Sequence, residues 1–462
     1  MPWKIGFLLS ASGRARRASL GVMATLLLAP ALHAEDLAAA LPGGIGTPPA
    51  SVTTPAELDQ GVDRARLVFT LSKAVEVASF LLSSPDRVIV DLPEIDFAIP
   101  QPPALAPRSR SRRPSRGGPS GLVATYRFGR LGPGRSRVIV NLTGPARILR
   151  ATCEAADGGN GARLVIELAR TDPAGFRAAV QATRAAVTRK RTDPRADTGT
   201  ELWPARDPSP IPPSGKPVVV IDPGHGGIDS GAIVNGSVEK ELVLGFAKAV
   251  ATKLETDGRL TVVLTRQDDT FVPLSERVAL ARAAGAGLFV SLHADTLAEA
   301  TDVAGATVYT VSERASDAAA ARLAAKENNA DAAAGLEHGE EASAISSILD
   351  DLTRRETRAL SHVFARTLLN YWKVAGRLNK NPQRAAGFLV LKAPDVPSVL
   401  LELGYLTNQR DDRALSSAEW REAAATQVAE AIGAYFAARE NAVLSHAPIR
   451  KSESEPNAAP GP

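Results

Sequence analysis

The sequence predicts an α/β unit built on a largely parallel or mixed six-stranded sheet flanked by helices, preceded by a small all-β domain. Three observations carry this expectation. Between 217 and 438, apolar runs of strand length alternate with helix-length amphipathic stretches. Between 58 and 170, short alternating segments stand between turn residues with no helical period. A basic and proline-rich stretch, 171–216, separates the two. The six expected strands of the larger unit are 218–221, 261–265, 288–292, 306–311, 388–391 and 398–402, with helical patterns at 240–255, 274–284, 357–373 and 418–438.

Taken in order, the chain opens with Lys4, Arg14, Arg16 and Arg17 ahead of an apolar run at 20–28 and then small residues. Residues 1–34 read as a signal peptide removed on export. The run is too short to span a bilayer, so no membrane span is expected after cleavage. Arg16-Arg17 leaves both the general secretory and the twin-arginine route open. The segments 66–70, 87–92, 137–142 and 163–168 predict a β-sandwich, and Arg-Val-Ile-Val recurs at 87 and 137. The basic stretch 107–116 reads as a solvated loop inside it. Part of 174–187 has helical character, 204–213 is a proline-stiffened tether, and 447–462 reads as a disordered tail.

The composition removes several function classes. A net charge of +4 invites a nucleic-acid reading, but the basic residues gather in leader and linkers and only 5% of residues are aromatic. No nucleic-acid partner is expected. Cys153 is the single cysteine, so neither an intrachain disulfide nor a thiolate metal site can form.

The chemistry gathers at strand ends. After 218–221 the chain breaks into Asp222-Pro223-Gly224-His225-Gly226-Gly227, which lifts a histidine at a carboxyl-terminal strand end, where open α/β sheets place their sites. Glu239 follows at the start of the next helical stretch, with Glu241 as a rival carboxylate. Ser291-Leu292-His293-Ala294-Asp295 ends a second buried strand, and Leu400-Leu401-Glu402 ends a third. Of six histidines, His33 and His446 lie in leader and tail, and two of the remaining four sit at strand ends. A histidine on a strand-end turn and a carboxylate on the following helix suit a zinc ion held by nitrogen and oxygen.

These motifs, in this order over 217–438, resemble the zinc-dependent N-acetylmuramoyl-L-alanine amidases of the amidase-3 type. The resemblance implies one catalytic Zn2+ held by His225, Glu239 and His293, with Glu402 as catalytic acid/base. It favours Glu239 over Glu241 by the Glu-Lys spacing after the glycine loop. Tyr405 stands where such families often have phenylalanine. Three protein ligands leave a coordination position open, as catalysis requires. Asp222 reads as a buttress of the His225 turn, and Arg277 as a structural charge clamp. Region 58–170 resembles the AMIN domain, which implies cell-wall targeting. The expected function is hydrolysis of the amide between N-acetylmuramic acid and L-alanine in peptidoglycan. It would serve wall remodelling and daughter-cell separation in the periplasm, at the division septum. Another zinc peptidase of the wall, carboxypeptidase-like, and a non-catalytic wall-binding regulator are the alternatives; the His-Glu-x-x-His helix of common metalloproteases is absent.

Residues 312–357 interrupt the unit with an alanine-rich, acidic insert whose run 318–333 favours helix, as does 344–355. Division-associated relatives carry a helical insert that covers the zinc until a protein activator displaces it. That resemblance implies autoinhibition here, with Glu327 as the blocking carboxylate and Glu337 and Glu340 behind it.

Overall fold

In the computed structural model the described residues are 48–102, 121–156, 161–192, 215–296, 302–336 and 348–446. The leader, the basic loop 107–116, the tether 204–213, Glu337, Glu340 and the tail lie outside them. All elements below belong to one compact unit, Pro49–Pro462.

Ten strands form the N-terminal region: β1 (Ala50–Val52), β2 (Glu57–Gln60), β3 (Arg64–Leu71), β4 (Ala78–Leu82), β5 (Arg87–Pro93), β6 (Ile95–Phe97), β7 (Val123–Gly132), β8 (Arg135–Leu142), β9 (Ala146–Ala155) and β10 (Ala162–Arg170). Two antiparallel four-stranded sheets, β2-β3-β10-β9 and β4-β5-β8-β7, face each other, and β1 pairs with β6. Alternation along the strands sends Leu67, Phe69 and Leu71 of β3, Val88 and Val90 of β5, and Val138 and Val140 of β8 into one shared core. Helix α1 (Pro173–Thr192) follows, wider than the helical character expected at 174–187, and Phe176 plugs that core.

The larger region runs β11 (Val218–Pro223), β12 (Ile233–Val234), β13 (Ser237–Val238), α2 (Glu239–Asp257), β14 (Thr261–Leu264), α3 (Leu274–Ala283), β15 (Leu288–His293), β16 (Ala306–Val311), α4 (Ala318–Glu327), α5 (Ala330–Ala333), α6 (Ile348–Ala375), β17 (Leu378–Ala386), β18 (Ser398–Glu402), α7 (Gln409–Ser416) and α8 (Ala418–His446). Six strands make one mixed sheet in the order β14-β11-β15-β18-β16-β17, with β16 antiparallel to β18 and the other pairs parallel. Both faces are covered. Val219 and Ile221 join the layer of α2, α6 and α8, whereas Val220, Phe289 and Leu400 face the layer holding α3 and α4. Burial on both sides is why these strands read as unbroken apolar runs.

One expected strand is corrected. Residues 388–391 form a 3-10 turn at Leu389–Leu391, and the sixth strand is β17, which contains Asn379, Lys380, Asn381, Pro382 and Arg384. As an edge strand pairing with β16 alone, β17 tolerates proline and polar residues that a central strand would not. The apolar run after it is buried through side-chain packing by Phe388, Val390 and Leu391.

Sheet register positions the site. β11, β15 and β18 lie side by side and parallel, with Pro223 opposite Leu292 and His293 opposite Glu402. Three carboxyl-terminal strand ends therefore open onto the same edge of the sheet.

Candidate active site

The turn after β11 bends tightly enough that His225 adopts φ 58°, a left-handed conformation uncommon for a side chain with a Cβ. Surrounding donors hold it there. Arg277 donates from Nη1 to Asp222 and the Pro223 carbonyl (2.7 and 2.9 Å) and from Nη2 to the His225 carbonyl (2.7 Å). Arg266 Nη2 donates to the Gly224 and Lys240 carbonyls, both at 2.8 Å. Lys240 reaches back to the Gly227 carbonyl (2.9 Å) and to Asp269 (2.6 Å). Both Asp222 oxygens are taken by Thr265, Ser291 and Arg277, so Asp222 buttresses the turn. Burial opposes the charge on Asp222, but Arg277 and those hydroxyls hold its carboxyl below the ordinary range.

Among the described residues, His225, Glu239 and His293 bring one ligand atom each within 4.8 Å of one another. His225 Nε2 lies 3.1 Å and His293 Nδ1 3.4 Å from Glu239 Oε1. Both ring nitrogens are buried without a hydrogen-bond partner. Two orphaned imidazole nitrogens converging on a buried carboxylate are the donor set a divalent, borderline-soft cation takes, so the residues fit zinc. Glu239 sits at the first turn of α2, where the helix end favours negative charge, and its oxygens accept from Ala294 N (2.9 Å) and Ala232 N (2.8 Å). Glu241 is exposed, so it is Glu239 that meets the histidines. Asp229 Oδ2 lies 2.8 Å from His225 Nδ1, which leaves Nε2 facing the cluster. Close packing excludes side chains around the ligands: a Cβ at Gly224 would fall 2.5 Å from the His293 ring, and one at Gly231 2.7 Å from both Glu239 and His225.

Burial works against protonated His225, yet Glu239, Asp229 and Glu327 outweigh it and raise its pKa well above the ordinary imidazole range. Glu402 moves the other way from an ordinary acid. Burial first, then Asp295, Glu239 and Glu327, push its carboxyl well up, although Asp295 N donates to Oε2 at 3.1 Å. Glu402 Oε1 is buried and unpartnered.

The insert closes over this cluster. Glu327, the last residue of α4, is 5% exposed and places Oε2 3.6 Å from His225 Nε2 and 3.3 Å from His293 Nδ1. Its neighbour Lys326 pairs with buried Asp295. The cavity left between insert and turn is about 10 Å³, room for no more than a water. Sequence reasoning missed Asp229 and the Lys326–Asp295 pair. Asp229's place four residues after His225, within the same glycine loop, was the available signal.

A family model for N-acetylmuramoyl-L-alanine amidase matches residues 219–434, and one for the AMIN domain matches 57–168. N-acetylmuramoyl-L-alanine amidase AmiA of Escherichia coli K12 is 43% identical over 224 residues, which cover 48% of this chain and 77% of that protein. This chain belongs to the N-acetylmuramoyl-L-alanine amidase family. The amidase is also 30% identical to N-acetylmuramoyl-L-alanine amidase AmiC of Neisseria meningitidis MC58 over 381 residues, 80% of this chain and 86% of that one. Among solved structures, N-acetylmuramoyl-L-alanine amidase AmiC2 of Nostoc punctiforme is 30% identical with a TM-score of 0.35, covering 48% of this amidase and 99% of that chain.

Proposed function

We propose that this amidase uses one zinc ion, held by His225, Glu239 and His293, to cleave the amide between the lactyl group of N-acetylmuramic acid and L-alanine. The convergence of two partnerless imidazole nitrogens on Glu239 Oε1 carries this reading. Zinc in that position supplies Lewis acidity toward water and the scissile carbonyl. Glu402 takes the proton of the attacking water and delivers it to the leaving nitrogen. Its raised pKa supports that role, because a more basic carboxylate takes the water's proton more readily than an ordinary one before passing it on. Arg277 and Arg266 keep the His225 turn rigid through their carbonyl contacts.

The insert 312–357 acts as a gate. Glu327 against both histidines and the small remaining cavity support a closed, inhibited state. Opening requires a protein activator that binds the displaced insert better than the docked one, since only differential affinity shifts the equilibrium. The remaining chain fits an exported, septal wall enzyme: a signal peptide at 1–34, a wall-binding β domain at 58–170, a linker at 171–216 and the catalytic unit at 217–438. Among the described residues no helix is long and apolar enough to cross a membrane.

The test is metal analysis with murein digestion. His225→Ala, Glu239→Ala and His293→Ala should each lose zinc, whereas Glu402→Ala should keep zinc and lose turnover. Wild type freed of its gate should release stem peptides beginning with L-alanine. Near-normal turnover in Glu402→Ala, or loss of terminal D-alanine as the product, overturns the assignment. Glu327→Ala should raise release of dye-labelled murein without activator; unchanged release contradicts the gate.

A further inference from the structure

The β-sandwich turns an outer face toward the larger region, and that face is apolar where a solvated strand would be polar. Ile89 of β5 and Ile139 of β8 are register partners. They point opposite to Val88, Val90, Val138 and Val140, yet both are fully buried. With Leu82 and Leu131 they form a small core against Ala334, at the end of the gate segment, and against Ile228 and Phe271 beside the metal turn. Half-buried Phe80 and Leu336 pack on it.

Two arginines of the same face grip the gate's backbone. Arg137 is fully buried, fixed by Asp91 through two bonds (2.5 and 2.9 Å) and stacked over Phe80 at 5.6 Å. Its Nη1 donates to the carbonyls of Ala334 and Gly335 at 2.9 and 3.0 Å. Arg87 donates to the Ala332 carbonyl. These are carbonyls of the turn ending α5, and the one at Ala332 also accepts from Gly335 N at 3.0 Å. Gly335 has φ 74°, and a Cβ there would lie 2.9 Å from Ile89. The grip falls a few residues beyond Glu327. The sandwich also holds the metal turn, where Ile228 N donates to the Arg130 carbonyl at 2.9 Å.

We propose that the N-terminal β domain is a second latch on the gate: docked, it pins 332–336 and thereby holds α4 and Glu327 over the metal ligands. This rests on the gating reading above. Opening then entails release of the sandwich face as well as of Glu327, so engagement of the β domain by wall polymer and access to the active site are coupled through one interface.

The experiment uses the full-length protein and two variants from opposite sides of the contact, Arg137→Ala and Ala334→Glu, with their double. Hydrogen exchange of 318–336 reads latch release without reference to activity. Both singles should exchange at least tenfold faster there, with the double no faster than the quicker single, because each breaks the same contact. Ala334→Glu leaves the sandwich interior untouched, so its result stands even if Arg137→Ala disturbs that domain. Unchanged exchange of 318–336 in Ala334→Glu overturns the latch. Basal murein release is measured alongside. Faster exchange without faster release keeps the latch and refutes the gate; unchanged exchange with faster release in Glu327→Ala keeps the gate and refutes the latch.

Discussion

His225 is held in a left-handed backbone by its surroundings. Its left-handed backbone would relax in an isolated peptide, and Arg277, Arg266 and the neighbouring strand ends prevent that. Asp229 adds a hydrogen bond to Nδ1 that leaves Nε2 facing Glu239. Asp229→Asn should therefore weaken zinc affinity by roughly 10- to 100-fold. Competition titration against a chelating dye reads this, and an unchanged affinity removes Asp229 from the site. Proton linkage follows from the same cluster. The folded pKa of His225 lies above the ordinary 6.5, so in the metal-free protein it contributes stability below that value, which is lost as pH rises through the raised pKa. On the proposed ligation zinc must displace this proton, so zinc affinity should strengthen from about pH 6 to about pH 8 with net proton release. Calorimetry in two buffers of different ionisation enthalpy checks it, and zero proton release contradicts it.

At the scale of elements, helix α4 is short and relies on its ends. Asp317 caps α4 by accepting from Ala319 N and Ala320 N, both at 2.9 Å. Asp317→Ala should cost α4 about 1 kcal/mol. Hydrogen exchange at 318–327 should then accelerate about fivefold, since 1 kcal/mol is a factor of 5 in an equilibrium, with β15 and β18 unaffected. Equal acceleration in those strands would mean that the loss is global instead. Strand β17 teaches the converse lesson about elements. Its sequence lacks any strand-like apolar pattern, and its conformation comes from pairing with β16.

Across the whole molecule, the proposed zinc ligation would link metal binding to folding, because His225, Glu239 and His293 come from separate segments around the central sheet. Saturating zinc at about 100 times Kd should stabilise the catalytic unit by about 2.7 kcal/mol. That corresponds to a rise in Tm of roughly 5–10 °C for a unit of this size. Scanning calorimetry with and without chelator measures it, and coincident melting curves would refute a metal ligated by His225, Glu239 and His293.

Much of this was already written in the order of residues. The strands β11, β15 and β18 are legible because burial on both faces demands uninterrupted apolar runs; β15 and β18 end at His293 and Glu402, and β11 ends two residues before His225. The repeated Arg-Val-Ile-Val likewise announced two strands of a sandwich. What no local pattern contained was the choice among partners. Periodicity alone does not separate Glu239 from Glu241, a choice that the family resemblance made, and the direction α2 takes from the glycine loop buries the first and exposes the second. Asp229 and Arg266 acquire their roles from contacts across the fold, as does Asp295 through Lys326. Ile89, Ile139 and Arg137 look like ordinary sandwich residues until the turn ending α5 packs over them. Periodicity records which faces are buried, but the identity of what buries them is a property of long-range packing, and only the tertiary structure decides it.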